Sequence, residues 1–101
     1  MGQFLMDFSD FLNLFNEIAK RESKERASLA ENRENTLVEL GLDSMDIMML
    51  GIFFTDWWGV PKDVSKVVRP TTVGQFYDFL EQHKTKNPPH AQACLQDYEN
   101  F

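Results

Sequence analysis

The sequence predicts an all-α protein: a bundle of four helices, three longer and one short, with a long loop after the first. Three observations lead there. Apolar residues recur at steps of three and four from Phe4 to Ala19, a second apolar block runs from Leu37 to Trp58, and a third helical pattern follows Thr71-Thr72. A chain of 101 residues with nine Phe and two Trp holds enough bulk for one core and too little length for two.

In the first helix Phe4, Leu5, Phe8, Phe11, Leu12, Phe15, Ile18 and Ala19 draw the inward stripe, with Asp7, Asp10, Asn13 and Glu17 on the other side. From Lys20 to Asn35 the charges are mixed in sign, which marks a solvated loop in which only Ala27, Leu29 and Ala30 are candidates for burial. The second helix is predicted over Ser44 to Trp58. Asp43 caps it, Asp46 reaches back three residues later, and Gly59 followed by Pro61 stops it. A short turn then carries Val64, Val67 and Val68 up to Pro70. Thr71 or Thr72 caps the last helix, whose inward residues are Val73, Phe76, Tyr77, Phe79 and Leu80. The helical domain is expected over residues 1–83. Residues 84–101, punctuated by Pro88 and Pro89, are expected to be a partly disordered extension or one loosely docked turn.

The net charge of −6 and the lack of a basic stripe argue against a nucleic-acid partner. No apolar run approaches the roughly 20 residues of a bilayer span, so no membrane insertion is expected. The start lacks the basic region of a signal peptide, and Met6 stands where a myristoylation signal after Met1-Gly2 wants Ser or Thr. The single cysteine, Cys94, forms no internal bridge and suits a reducing compartment. A cytoplasmic monomer is the expectation.

The chemistry concentrates in Leu40-Gly41-Leu42-Asp43-Ser44-Met45-Asp46. Taken alone, Asp43 and Ser44 do no more than cap a helix. Set in order with Trp58-Gly59-Val60-Pro61 and Thr71-Thr72-Val73-Gly74, the stretch resembles the prosthetic-group attachment site of acyl carrier proteins, with Met45 for the family's usual Leu. The resemblance reaches from the first helix to Leu80. It implies the acyl-carrier-like four-helix bundle and a covalent 4′-phosphopantetheine on Ser44, joined by a phosphodiester and holding acyl groups as thioesters. It further implies that Asp43 helps a phosphopantetheinyl transferase position Mg²⁺–coenzyme A. Asp46 would belong to the acidic face that partner enzymes read. Fatty-acid, polyketide or related specialised lipid biosynthesis is the implied setting, with acyl-loading, ketosynthase- or acyltransferase-type enzymes as partners. Ser44 itself carries no sign of catalysis, since no G-x-S-x-G elbow surrounds it and the histidines, His83 and His90, lie near the C-terminal end. No enzyme activity and no metal site are expected.

The sequence departs from that family in its second helix. Between Asp43 and Trp58 the acids are Asp43, Asp46 and Asp56, with Met49 and Thr55 where the resemblance leads one to expect Glu. If Leu50, Phe53, Phe54 and Trp58 form the core stripe and the acyl pocket, then Met45, Met49, Ile52 and Asp56 face outward with Asp46 as a partner surface. Either this Met-rich face docks dedicated partners, or the long loop or C-terminal segment folds over it. Gly51, costly inside a helix, either opens space for an acyl chain or permits close packing. A peptidyl or aminoacyl carrier shares the motif, and an unmodified helical interaction module shares the bundle.

Overall fold

The computed structural model describes residues 6–66 and 69–101. Five helices and no strands are found among them: α1 Phe8–Glu22, α2 Ser44–Trp58, α3 Lys62–Ser65, α4 Val73–His83 and α5 Ala91–Glu99. The all-helical class holds, with one helix more than the four expected. Phe4 and Leu5 of the first stripe, and Val67 and Val68 of the short turn, lie outside the described residues.

Local signals set the boundaries of α1, α2 and α4. Asp7 accepts from the Asp10 N–H to start α1, and Thr72 accepts from the Gln75 N–H to start α4. α2 opens on a reciprocal capping box between Asp43 and Asp46, and closes where Gly59 takes the left-handed conformation at φ 69°.

The core is aromatic. Phe11 of α1 meets Phe54 at 5.2 Å between ring centroids, Trp58 at 6.0 Å and Phe76 at 5.9 Å, so one ring joins α1, α2 and α4. Leu14, Ile18, Leu50 and Leu80 fill the space around these rings and are fully buried. Leu14 was not in the predicted stripe, and Leu12, which was, is half-buried. The stripe is simply rotated by part of a turn.

The segment between α1 and α2 is charged but not loose. Asn16 of α1 grips Ala30 at both ends, its amide donating to the Ala30 carbonyl at 3.0 Å and its oxygen accepting from the Ala30 N–H at 2.8 Å. Leu37 donates its N–H to the Thr71 carbonyl, Val73 to Asn35, and Gly74 to Arg33. Gly74 is needed there, because a Cβ would stand 2.8 Å from the Arg33 Cβ and 3.0 Å from its carbonyl oxygen. Of the three residues expected to bury, Ala30 does, Ala27 half does, and Leu29 is exposed.

The extension is where the structure differs most from expectation. Instead of disorder or one turn, residues 91–99 form α5, packed against α1. Its docking uses polar tips around a small apolar centre. Cys94 is fully buried, the Tyr98 hydroxyl donates to Glu22 at 2.7 Å, Arg21 pairs with Glu99 at 2.8 Å, and Trp57 Nε1 donates to Asp97 at 2.9 Å. The Phe53 ring meets Tyr98 at 4.8 Å and Phe101 at 4.9 Å. With α5 in place the radius of gyration is 12.6 Å, close to the ~13 Å of a closed domain of this length.

Docking of α5 has a signature in alkali. Desolvation, and then the charge of Asp97, pushes the Cys94 thiol from 9.0 to about 12. Desolvation, and then the hydrogen bond to Glu22, pushes the Tyr98 hydroxyl from 10.0 to about 12. Both groups keep their protons when folded at a pH where the unfolded chain releases them, so their contribution is complete below pH 9 and is lost as the pH rises toward 12. Denaturant melts across that window should show falling stability for the wild type. The slope should be shallower for Cys94→Ala combined with Tyr98→Phe, and equal slopes would contradict a docked α5.

Candidate functional site

Ser44 is the first residue of α2, and its position follows from the residues around it. Asp43 accepts from the Asp46 N–H at 2.9 Å, while Asp46 Oδ2 accepts from the Asp43 N–H at 3.1 Å. The Asp43 carboxyl is held below its ordinary value, chiefly by that Asp46 N–H, with a further contribution from Arg26. Arg26, far back in the loop, donates Nη2 to Asp46 Oδ2 at 3.0 Å and Nη1 to the Gly41 carbonyl at 2.9 Å. Between the two aspartates, the Ser44 side chain is exposed and has no hydrogen-bond partner among the described residues.

Asp46 is therefore not part of an outward acidic surface. It is 4% exposed and committed to the cap and to Arg26. Met49 also departs from the predicted surface: it is half-buried and packs on the core, one turn before Phe53 on the side that the core covers. Met45 (59% exposed), Ile52 (49%) and Asp56 do face outward, joined by Met48 (52%), which the sequence reading passed over. Met48 and Met49 are adjacent on the helix and either completes the Met45–Ile52 spacing. Helix rotation chooses Met48, and periodicity alone could not. The C-terminal segment covers Phe53 and Trp57, leaving Met45, Met48 and Ile52 uncovered.

A cavity of about 1020 Å³ opens beside Ser44, at the upper end of the roughly 300–1,000 Å³ of ligand pockets. Its walls come from α2, α3, the chain before α4, α4 itself and the end of α5. Ile47, Ile52, Phe53, Phe76 and Phe79 supply apolar surface. Of the residues assigned to a pocket or core, Phe53 lines this space, whereas Leu50, Phe54 and Trp58 are fully buried core. Trp58 anchors its indole N–H on Glu81 at 2.8 Å. Gly51 also lines the cavity, and a Cβ there would meet no atom within 4 Å. It opens space; close packing is not its reason.

Chemically the arrangement offers a free hydroxyl at a helix start, an adjacent ionised carboxylate, and an apolar chamber with a mixed rim. Among the described residues no cluster of His, Cys, Asp and Glu is placed to hold a metal ion, and no helix is long and apolar enough to cross a membrane. No protein-family model matches the chain, and neither a curated protein nor a solved structure matches it.

Three substitutions test this geometry. Gly51→Ala should raise the unfolding free energy by about 1 kcal/mol, since it gains helix propensity and meets open space; a loss would mean the cavity wall is closed there. Asp46→Ala should cost about 1–2 kcal/mol by opening the cap and stranding Arg26. Asp56→Ala should stay within about 0.5 kcal/mol. Urea melts of the three variants read all these differences, and equal effects for the two aspartates would contradict the assigned role of Asp46.

Proposed function

We propose that this chain is a carrier protein whose Ser44 bears a 4′-phosphopantetheine arm. The observation that carries the reading is the exposed, unbonded Ser44 hydroxyl, set between Asp43 and the start of α2 at the mouth of an apolar cavity. The helical order, with α2 ending at Gly59 and α4 entered through Thr72, supports the acyl-carrier-like bundle, to which α5 is an addition.

The residues fit such a group. A phosphodiester on Ser44 lies at a helix N-terminus, where first-turn N–H groups and the macrodipole favour an anion. Attachment needs the Ser44 oxygen to lose its proton to the transferase and form a bond to the pantetheine-side phosphorus of coenzyme A, as the pyrophosphate P–O bond breaks and adenosine 3′,5′-bisphosphate leaves. The exposed Asp43 carboxyl beside it, held below its ordinary value, supports a role in holding the Mg²⁺ of that complex. The arm, once bound, supplies a thiol that carries acyl groups as thioesters.

The partner surface is the exposed face of α2. With Asp46 withdrawn, Asp43 and Asp56 stand nearly four helical turns apart, roughly 20 Å, with Met45, Met48 and Ile52 between them. Adaptable thioether and aliphatic surface of this kind suits enzymes dedicated to this carrier more than the basic patches that read a densely acidic helix. The protein then acts in acyl-chain biosynthesis without catalysis of its own.

Co-expression with a broad-specificity phosphopantetheinyl transferase, followed by intact mass measurement, decides the reading. Wild type should gain the mass of one phosphopantetheine and Ser44→Ala should gain none. Unmodified wild type, with a known carrier modified in parallel, would leave only the unmodified interaction module.

A further inference from the structure

The cavity beside Ser44 is apolar in its walls but not at its edge. Lys62, Lys66 and Arg69 all line it, and none has a carboxylate within ion-pair distance among the described residues. Lys20, Lys24 and Lys86 have no ion pair among the described residues either, but they do not line this space. Arg21, Arg26, Arg33 and Lys84 are each paired with an acid, and the remaining lysines are scattered over other elements. Arg69 is also held in place, its Nη1 donating to the Lys66 carbonyl at 3.3 Å. Two acids line the same space: Asp97 is engaged by the Trp57 indole, and Asp56 is outside ion-pair distance of the three cations.

A purely hydrocarbon chain gains nothing from three unpaired cations. An anion at the end of such a chain does, because the low-dielectric wall beside the cations strengthens each attraction relative to open water. We infer that the cavity receives a cargo chain ending in an anionic group, a carboxylate above all. Its methylenes lie against Ile47, Ile52, Phe53 and Phe79, and its charged end lies at Lys62, Lys66 and Arg69. The substrate class is thus the half-thioester of a dicarboxylic acid. This rests on the carrier reading and adds the cargo to it.

The test loads Ser44 with either octanoyl- or octanedioyl-phosphopantetheine from the corresponding coenzyme A thioester, checks loading by intact mass, and then measures the thermal midpoint. Octanedioyl should raise the midpoint above octanoyl by about 3 °C, the size that partly screened ion pairs give in a domain of this length. The excess should vanish in Lys66→Met combined with Arg69→Met, persist in Lys66→Arg combined with Arg69→Lys, and shrink as salt is raised. Equal midpoints for the two cargoes in wild type overturn the inference while the carrier reading stands. Equal losses for both cargoes in the methionine variant also overturn it, because the cations would then hold the arm's own phosphodiester. Failure of Ser44 to accept any arm appears in the mass before any melt, and overturns the carrier reading and this inference together.

Discussion

The Arg26 guanidinium binds the long loop and the start of α2 into one hydrogen-bonded unit, and the placement of Ser44 depends on it. One nitrogen takes the Gly41 carbonyl and the other takes the Asp46 carboxylate, whose own oxygen is already accepting from the Asp43 N–H. Asp46 is buried, so a partner is required: an ionised carboxylate there without one costs free energy. Arg26 supplies that partner from a position that is itself half in solvent, which keeps its own desolvation small. The result is a helix start fixed from two directions, by the cap in sequence and by the loop in space. Ser44 gains a defined position without a side-chain bond of its own among the described residues, which leaves its hydroxyl available.

The rest of the molecule keeps that start in register with the cavity. The loop that delivers Arg26 is tied onward to the entry of α4 through the Leu37–Thr71, Val73–Asn35 and Gly74–Arg33 backbone bonds. Those bonds bring the chain before α4 alongside α2, where Arg69 and Pro70 become cavity wall. On the opposite side of α2 the rings of Phe54 and Trp58 pack against Phe11. Both indole N–H groups find carboxylates at the edge, Trp57 on Asp97 and Trp58 on Glu81, so the aromatic core carries no stranded donor there. One side of α2 is thus closed by rings and the other is left open.

Much of this was legible in the sequence because the signals are local. Asp43, Asp46 and Gly59 act within a turn of where they stand, so α2 reads from Ser44 to Trp58 in sequence and structure alike. The α4 cap is also a three-residue relation, which the sequence narrows to Thr71 or Thr72 and the Gln75 N–H assigns to Thr72. The burial of Asp46 was not legible, since it depends on Arg26 twenty positions away. Nor was the choice between Met48 and Met49, which is a rotation of the helix set by what α2 packs against. α5 escaped for a related reason. Its apolar content is one small Cys94 with half-buried Ala91, Leu95 and Tyr98, too thin to announce a helix, and much of its anchoring comes from Glu22, Arg21 and Trp57 on other elements. Gly51 raised the right question, but only its surroundings could say whether the missing side chain makes room for a neighbour or for a cavity.

The separation of charge around α2 bears on how such a site would discriminate. The acids on or beside α2 are Asp43, Asp46 and Asp56, and the first two are engaged in its capping box. The unpaired cations follow α2 in sequence and line the same cavity as Ile47 and Phe53. Had the cations been placed on the outer face, they would simply have offset the net charge in solvent, where an ion pair contributes little. At the cavity edge they act where apolar walls exclude part of the water, and where a chain end has few directions in which to lie. Selection by length and by charge then become one requirement. A chain too short leaves its charge among the methionine and phenylalanine side chains, and a chain too long carries it past the cations into solvent. Specificity of this kind comes from the cost of misplacing a charge more than from the gain of placing it.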